Sequence, residues 1–180
     1  MSTRPPSDSE LNALASTALA ALAERGWRVS LAESCTGGWI AKVLTDVPGS
    51  SAGFEAGFVT YANRAKEATL GVSAATLANA GAVSRPTVLE MAAGARRCSG
   101  AELAVAVSGI AGPGGGTEGR PVGLVWFGWQ TAGGTHDAAY ENFSGDRDAV
   151  RRQAVARALR LIGSLAADER PGETASTDPK

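Results

Sequence analysis

Ser34 lies in Ala32-Glu33-Ser34-Cys35-Thr36-Gly37-Gly38, after the apolar run Trp27-Arg28-Val29-Ser30-Leu31 and before the helix-like Trp39-Ile40-Ala41-Lys42-Val43-Leu44. The pattern predicts a strand ending at Glu33 and a helix beginning near Thr36. In α/β proteins, reactive groups sit at such junctions, where the carboxyl end of a strand meets the amide donors of a helix N-terminus. A serine there can serve as nucleophile. Thr36, Gly37 and Gly38 can offer amides and a helix dipole to negative charge. The same residues also fit a plain helix cap with two glycines for close packing. A second group lies in Thr60-Tyr61-Ala62-Asn63-Arg64-Ala65-Lys66, at the end of the next predicted strand. If the two strands run parallel, Lys66 falls beside Ser34. A desolvated lysine with a lowered pKa can take a proton from a serine. Tyr61 could shuttle a proton or orient that lysine, and Asn63 joins the candidate substrate-binding residues. Taken alone, the segment better describes a solvated helix start with a tyrosine filling the strand end.

Ser108-Gly109-Ile110-Ala111-Gly112-Pro113-Gly114-Gly115-Gly116-Thr117-Glu118-Gly119-Arg120 follows a buried apolar strand. Ser108, Gly109, Gly112, Gly114, Gly115 and Gly116 let the backbone turn its amides toward one point and approach a ligand closely. Arg120 adds a cation at the loop's end. The spacing of Gly114 and Gly119 superficially resembles a Walker A loop, but Arg120-Pro121 replaces the Lys-Ser/Thr pair and a strand follows. An anion- or amide-binding loop is expected. Asp146-Arg147-Asp148 with Arg151 and Arg152 opens the last predicted helix. Its aspartates suit the N-terminus, and Arg147 and Arg151 could grip a phosphate or simply form a solvated face. His136 is the only histidine. It sits near a hairpin turn, which disfavours a Ser-His-Asp triad. Cys35 is an alternative nucleophile, although a small buried cysteine is the commoner role. No His or Cys pair has metal-ligand spacing, so neither a metal nor a cofactor is expected.

The elements that must position these groups alternate. Helices are expected from Asp8 to Gly26, Thr36 to Thr45, Asn63 to Leu70, Ser73 to Ala80, Arg85 to Cys98 and Asp146 to Leu165. Strands are expected over Trp27 to Glu33, Phe54 to Tyr61, Leu103 to Ser108, Val122 to Gln130 and Thr135 to Phe143, the last two an antiparallel pair. This predicts an α/β chain: a three-layer α/β/α domain with a mixed, mostly parallel sheet over residues 8–165. Residues 1–7 read as a flexible N-terminus and 166–180 as a disordered tail. One domain is natural for 180 residues. With 17 Lys plus Arg against 18 Asp plus Glu, the net charge of −1 argues against a broad nucleic-acid surface. Two cysteines make no disulfide framework, no signal peptide is evident, and no apolar run could span a bilayer. A cytoplasmic, soluble protein is expected.

Six motifs in one order carry a resemblance. Ala-Glu-Ser-Cys-Thr-Gly-Gly at 32–38, Asp-Val-Pro-Gly-Ser-Ser at 46–51, Gly-Phe-Val-Thr-Tyr at 57–61, Gly-Ala-Val-Ser at 81–84, Ser-Gly-Ile-Ala-Gly-Pro-Gly-Gly-Gly at 108–116 and Gly-Asp-Arg-Asp-Ala-Val-Arg-Arg-Gln at 145–153 resemble the CinA carboxy-terminal domain family. The resemblance spans about residues 8–165 and is to the stand-alone form, without the amino-terminal domain many relatives carry. It implies a nicotinamide-nucleotide amidohydrolase: hydrolysis of the carboxamide of nicotinamide mononucleotide to nicotinate mononucleotide and ammonia, in pyridine-nucleotide salvage. It also implies a cytoplasmic homodimer. By resemblance Ser34 is the nucleophile, Tyr61 and Lys66 lie near it, and Ser108 to Gly116 is the family's glycine loop. Arg120 stands where the family commonly has Lys, Ala62 where Ser is common, and Ala80 where His is common. Two other functions remain open: a non-catalytic nucleotide-binding module associated with competence or DNA repair, and a serine amidase for another small amide. A binding module needs the glycine loop but not Lys66; an enzyme needs Lys66 and Ser34.

Overall fold

Ser7 starts the first helix. Its Oγ accepts the Glu10 N–H at 3.3 Å while the Glu10 carboxylate accepts the Ser7 N–H at 2.6 Å, a reciprocal cap. Helix α1 (Asp8–Arg25) ends at Gly26, whose φ of 65° closes the last turn. Leu11, Ala15, Ala18 and Leu22 are buried along one face, with Leu14 and Leu19 at its margin. The computed structural model describes residues 4–167; the expectations for residues 1–3 and 168–180 lie outside the described residues.

The chain continues through β1 (Val29–Glu33), α2 (Trp39–Thr45), β2 (Phe54–Val59), α3 (Asn63–Leu70), α4 (Ala74–Ala80), α5 (Arg85–Ser99), β3 (Leu103–Gly109), β4 (Leu124–Thr131), β5 (His136–Asn142) and α6 (Arg147–Ala166). The strands lie in the order β2-β1-β3-β4-β5. β1 pairs in parallel with β2 and β3, whereas β4 is antiparallel to both β3 and β5. The sheet is mixed, as expected. Its parallel part is confined to β2, β1 and β3, so two of the four pairings are parallel. The reason is in the connections. Parallel pairing needs a long crossover, which α2 and α3 to α5 provide. The glycine loop before β4 and the short turn before β5 carry no helix and return the chain antiparallel.

Helices α1, α2 and α6 cover one face of the sheet and α3, α4 and α5 the other, giving three layers. β4 alternates between them: Val125, Phe127 and Trp129 face the first layer, and Leu124 and Trp126 the second. Both faces are covered, so this strand reads as a continuous apolar run. The β1–β2 connection passes on the first face and the β2–β3 connection on the second. Connections leaving on opposite faces open a crevice at the carboxyl ends of the parallel strands. Ser34, Thr60 and Gly109 all lie at that edge.

Three elements start two or more residues later than the sequence reading expects. β1 begins at Val29, because the Arg28 N–H bonds the Glu102 carboxylate at 2.8 Å instead of joining the ladder. β4 begins at Leu124, after Gly123 turns at φ 97°. α2 begins at Trp39, because Gly37 (φ 64°) and Gly38 (φ 91°) hold conformations no α-helix admits.

Candidate active site

Lys66 is the most deeply buried charged-type residue of the crevice, with 1% of its surface exposed. It lies on the first turns of α3, which starts right after β2, so its side chain runs back beneath the strand ends. Its Nζ is 3.0 Å from Ser34 Oγ, 2.7 Å from the carbonyl oxygen of Thr60 and 3.3 Å from that of Tyr61. No carboxylate among the described residues pairs with it. Burial therefore lowers the Lys66 pKa from its ordinary value and outweighs the opposing influence of nearby Cys35. Two neighbours are carbonyls, which only accept. The third is a hydroxyl, which can donate. A neutral amine places its two N–H bonds on the carbonyls and its lone pair toward Ser34.

Ser34 sits on the turn between β1 and α2. Its own N–H is fixed to Val107 O at 2.9 Å, and its carbonyl accepts the Gly37 N–H at 3.0 Å. The expected anion site at Thr36 to Gly38 is filled from within the chain. The Glu33 carboxylate accepts from Thr36 Oγ1 at 2.6 Å, and from the N–H groups of Gly38 (3.1 Å), Ile40 (3.1 Å) and Ala41 (2.9 Å). Cys35 beside Ser34 is buried, which pushes its thiol up to about 12. Such a thiol has almost no thiolate near neutrality.

The crevice is a cleft of about 200 Å³ lined by Ser34, Cys35, Tyr61, Lys66, Ala82, Val83, Ser108, Gly109, Ala111 and Arg147. Ser108 donates its hydroxyl to Ala82 O at 2.8 Å, tying the end of β3 to the segment before α5. Arg147 spans the rim. Its Nη1 donates to Gly112 O at 2.7 Å and its Nη2 to the Tyr61 phenolic oxygen at 2.9 Å. Tyr61 thus meets Lys66 through its carbonyl, while the residue as a whole is 61% exposed at the mouth.

The structure brings together Ser34, Lys66, Tyr61, Ser108, Gly109 and Arg147, with Gly112 at the rim. It places other expected residues elsewhere. Arg151 stands behind the Ser34 turn, donating to Cys35 O at 3.1 Å and Thr36 O at 2.9 Å. Arg120 latches the glycine loop to the end of α4 through Ala80 O at 2.6 Å. Neither guanidinium lines the cleft, because each is held by backbone carbonyls of the fold. Asn63, Gly114, Gly115 and Gly116 are exposed outside it, and Thr36, Gly37 and Gly38 lie on its far side, toward Glu33 and Arg151. His136 is exposed on β5, at the opposite edge of the sheet from β2. Ala82, Val83 and Ala111 line the cleft without having been singled out; as small apolar residues they give no chemical signal. Among the described residues no group of His, Cys, Asp and Glu could hold a metal ion, and no helix is long and apolar enough to cross a membrane.

Residues 11–166 match the family model described as the CinA C-terminal domain. The chain belongs to this family. Nicotinamide-nucleotide amidohydrolase PncC of Escherichia coli K12 is 58% identical over 155 residues, 86% of this chain and 94% of that protein. A CinA-like protein of Akkermansia muciniphila is 53% identical over 138 residues, 77% of this chain but 33% of that longer protein. The crystal structure of the competence/damage inducible protein CihA from Agrobacterium tumefaciens superposes with a TM-score of 0.85 at 44% identity, covering 94% of this chain and all of that one. The match takes in nearly the whole of that PncC protein but about a third of the longer CinA-like protein.

Proposed function

We propose that the protein hydrolyses the carboxamide of nicotinamide mononucleotide to nicotinate mononucleotide and ammonia, with Ser34 as nucleophile and Lys66 as its base. The observation that carries this reading is the 3.0 Å contact between Lys66 Nζ and Ser34 Oγ, made by a lysine without a carboxylate partner. The 58% identity to a named nicotinamide-nucleotide amidohydrolase supplies the substrate. A nucleotide-binding module has no need for a lysine buried against a serine.

In this mechanism the Ser34 proton passes to Lys66 Nζ as Oγ attacks the carboxamide carbon. The developing oxyanion needs N–H donors that are not already engaged. On the Ser34 turn, the N–H groups of Ser34, Gly37, Gly38 and Trp39 have acceptors within the fold. That of Cys35, which lines the cleft, has no acceptor on another described residue, which supports it as an oxyanion donor. Collapse breaks the carbon–nitrogen bond, and Lys66 returns the proton to the departing nitrogen to give ammonia. Water then attacks the acyl-Ser34 ester with Lys66 again taking a proton, releasing the carboxylic acid and restoring the serine. The pyridinium charge of the substrate makes its carboxamide carbon more electrophilic. Its phosphate finds a cation at the rim in Arg147. Pyridine-nucleotide salvage in the cytoplasm by a homodimer, without a nucleic-acid partner, completes the proposal.

Ammonia release from a panel of amides tests the substrate: nicotinamide mononucleotide, its riboside, the dinucleotide and free nicotinamide. The mononucleotide is expected to lead by kcat/KM. Preference for free nicotinamide or for an unrelated small amide would overturn this assignment.

A further inference from the structure

Glu33 precedes the nucleophile and is 1% exposed, yet no cation pairs with it among the described residues. Both carboxylate oxygens are engaged. Oε2 accepts from Thr36 Oγ1 and from the N–H groups of Gly38 and Ile40, and Oε1 accepts from the Ala41 N–H. An ordinary helix N-cap accepts one or two donors from the residue at the helix boundary. Here the boundary residue is Gly38, which has no side chain, and the acceptor comes from the end of the preceding strand. The carboxylate therefore ties the last residue of β1 to the first turn of α2. Everything between those two anchors is the loop of Ser34, Cys35, Thr36 and Gly37.

We infer that Glu33 is a positioning residue for the reaction. Its carboxylate fixes the arc of the turn, and the arc sets where Ser34 Oγ stands and where the Cys35 N–H aims. It also takes up the amides of Gly38, Ile40 and Ala41, so that the helix end does not compete for the substrate's phosphate. Arg151 holds the same turn from outside by its carbonyls, through Cys35 O at 3.1 Å and Thr36 O at 2.9 Å. Glu33 holds it from inside by its donors. Turn geometry matters because displacement of a reacting atom by about 1 Å can cost on the order of a hundredfold in rate.

The inference rests on the Ser34 reading, and its test has an arm independent of the natural substrate. Glu33→Gln keeps the volume but places an NH₂ group where Oε2 or Oε1 accepted, so at least one backbone N–H faces another donor. Thr36→Val removes only the hydroxyl donor and serves if Glu33→Gln does not fold. Both are assayed for kcat and KM with nicotinamide mononucleotide, for thermal midpoint, and for acetylation of Ser34 by p-nitrophenyl acetate, read as p-nitrophenolate released and as mass on Ser34. In that step the Oγ–acetyl bond forms, the aryl ester bond breaks and the Oγ proton passes to Lys66. For a variant that folds, kcat and acetylation are expected to fall together, by about 10- to 100-fold for Glu33→Gln and less for Thr36→Val, with KM within about threefold. A lowered midpoint with unchanged kcat and unchanged acetylation would make Glu33 a helix cap only and overturn the inference. Absence of deamidation by the wild type would refute the substrate assignment, while the acetylation arm would still decide the role of Glu33.

Discussion

Arg147 Nη2 donates to the phenolic oxygen of Tyr61 at 2.9 Å, joining the first residue of α6 to the segment that follows β2 across the mouth of the cleft. The bond makes the Tyr61 phenol a partner of the rim and leaves Lys66 to the Tyr61 carbonyl. Tyr61→Phe therefore removes one hydrogen bond and preserves the Lys66 contact. A loss of about 1 kcal/mol corresponds to a fall in kcat/KM of less than about tenfold. Loss of turnover by several orders of magnitude in a folded Tyr61→Phe protein would instead make the phenol a proton carrier.

Cys35→Ser is expected to retain appreciable deamidation. The Cys35 thiol is pushed up to about 12 by burial, which disfavours the thiolate that a nucleophile needs. Complete loss of activity with an unchanged thermal midpoint would transfer that role from Ser34 to Cys35.

The pH dependence follows from Lys66. Burial depresses its folded pKa below the ordinary 10.5, so kcat/KM should rise with pH as the amine loses its proton, with a midpoint below that value. Stability carries the same sign. Between the folded and unfolded values the unfolded chain binds more protons, so the penalty of burying the ammonium is fully present below the folded pKa and fades as pH rises toward 10.5. Lys66→Ala should lower kcat by orders of magnitude with a smaller change in KM. Lys66→Arg should be nearly as poor, because guanidinium stays protonated. An arginine variant with near-normal kcat and an unshifted pH profile would show that Lys66 supplies charge only.

The site also depends on a close approach far from the chemistry. A Cβ at Gly94 on α5 would overlap the Leu70 carbonyl at the end of α3, one turn beyond Lys66, and that carbonyl also accepts from Arg97 at 2.7 Å. Gly94→Ala should push α3 away from α5, costing about 1–3 kcal/mol of stability and lowering kcat through Lys66. Thermal and urea denaturation, measured beside kcat, would check this; an unchanged midpoint would show that the two helices slide apart freely.

The legible parts of this molecule are those governed by local pattern. Helix α3 has the bounds Asn63–Leu70 that its sequence suggests, because the strand before it and Gly71 after it are both local signals. The meeting of Ser34 and Lys66 is legible for a topological reason: the ends of adjacent parallel strands lie side by side, so 32 residues of separation collapse to 3.0 Å. The start of α2 was not legible. Ser34 and Thr36 are good cap residues by type, but the acceptor in use is Glu33, a strand residue whose reach depends on the turn it stabilises. Arg120 and Arg151 went the same way. Their types suit phosphate, yet their partners are the carbonyls of Ala80, Cys35 and Thr36, which no spacing in the chain reveals.

Release of ammonia from nicotinamide mononucleotide by the wild type and by Ser34→Ala, measured side by side on folded protein, tests the central claim most directly. The account predicts ammonia and nicotinate mononucleotide in equal amounts from the wild type, and neither above background from Ser34→Ala. Turnover by Ser34→Ala at the wild-type rate would contradict it.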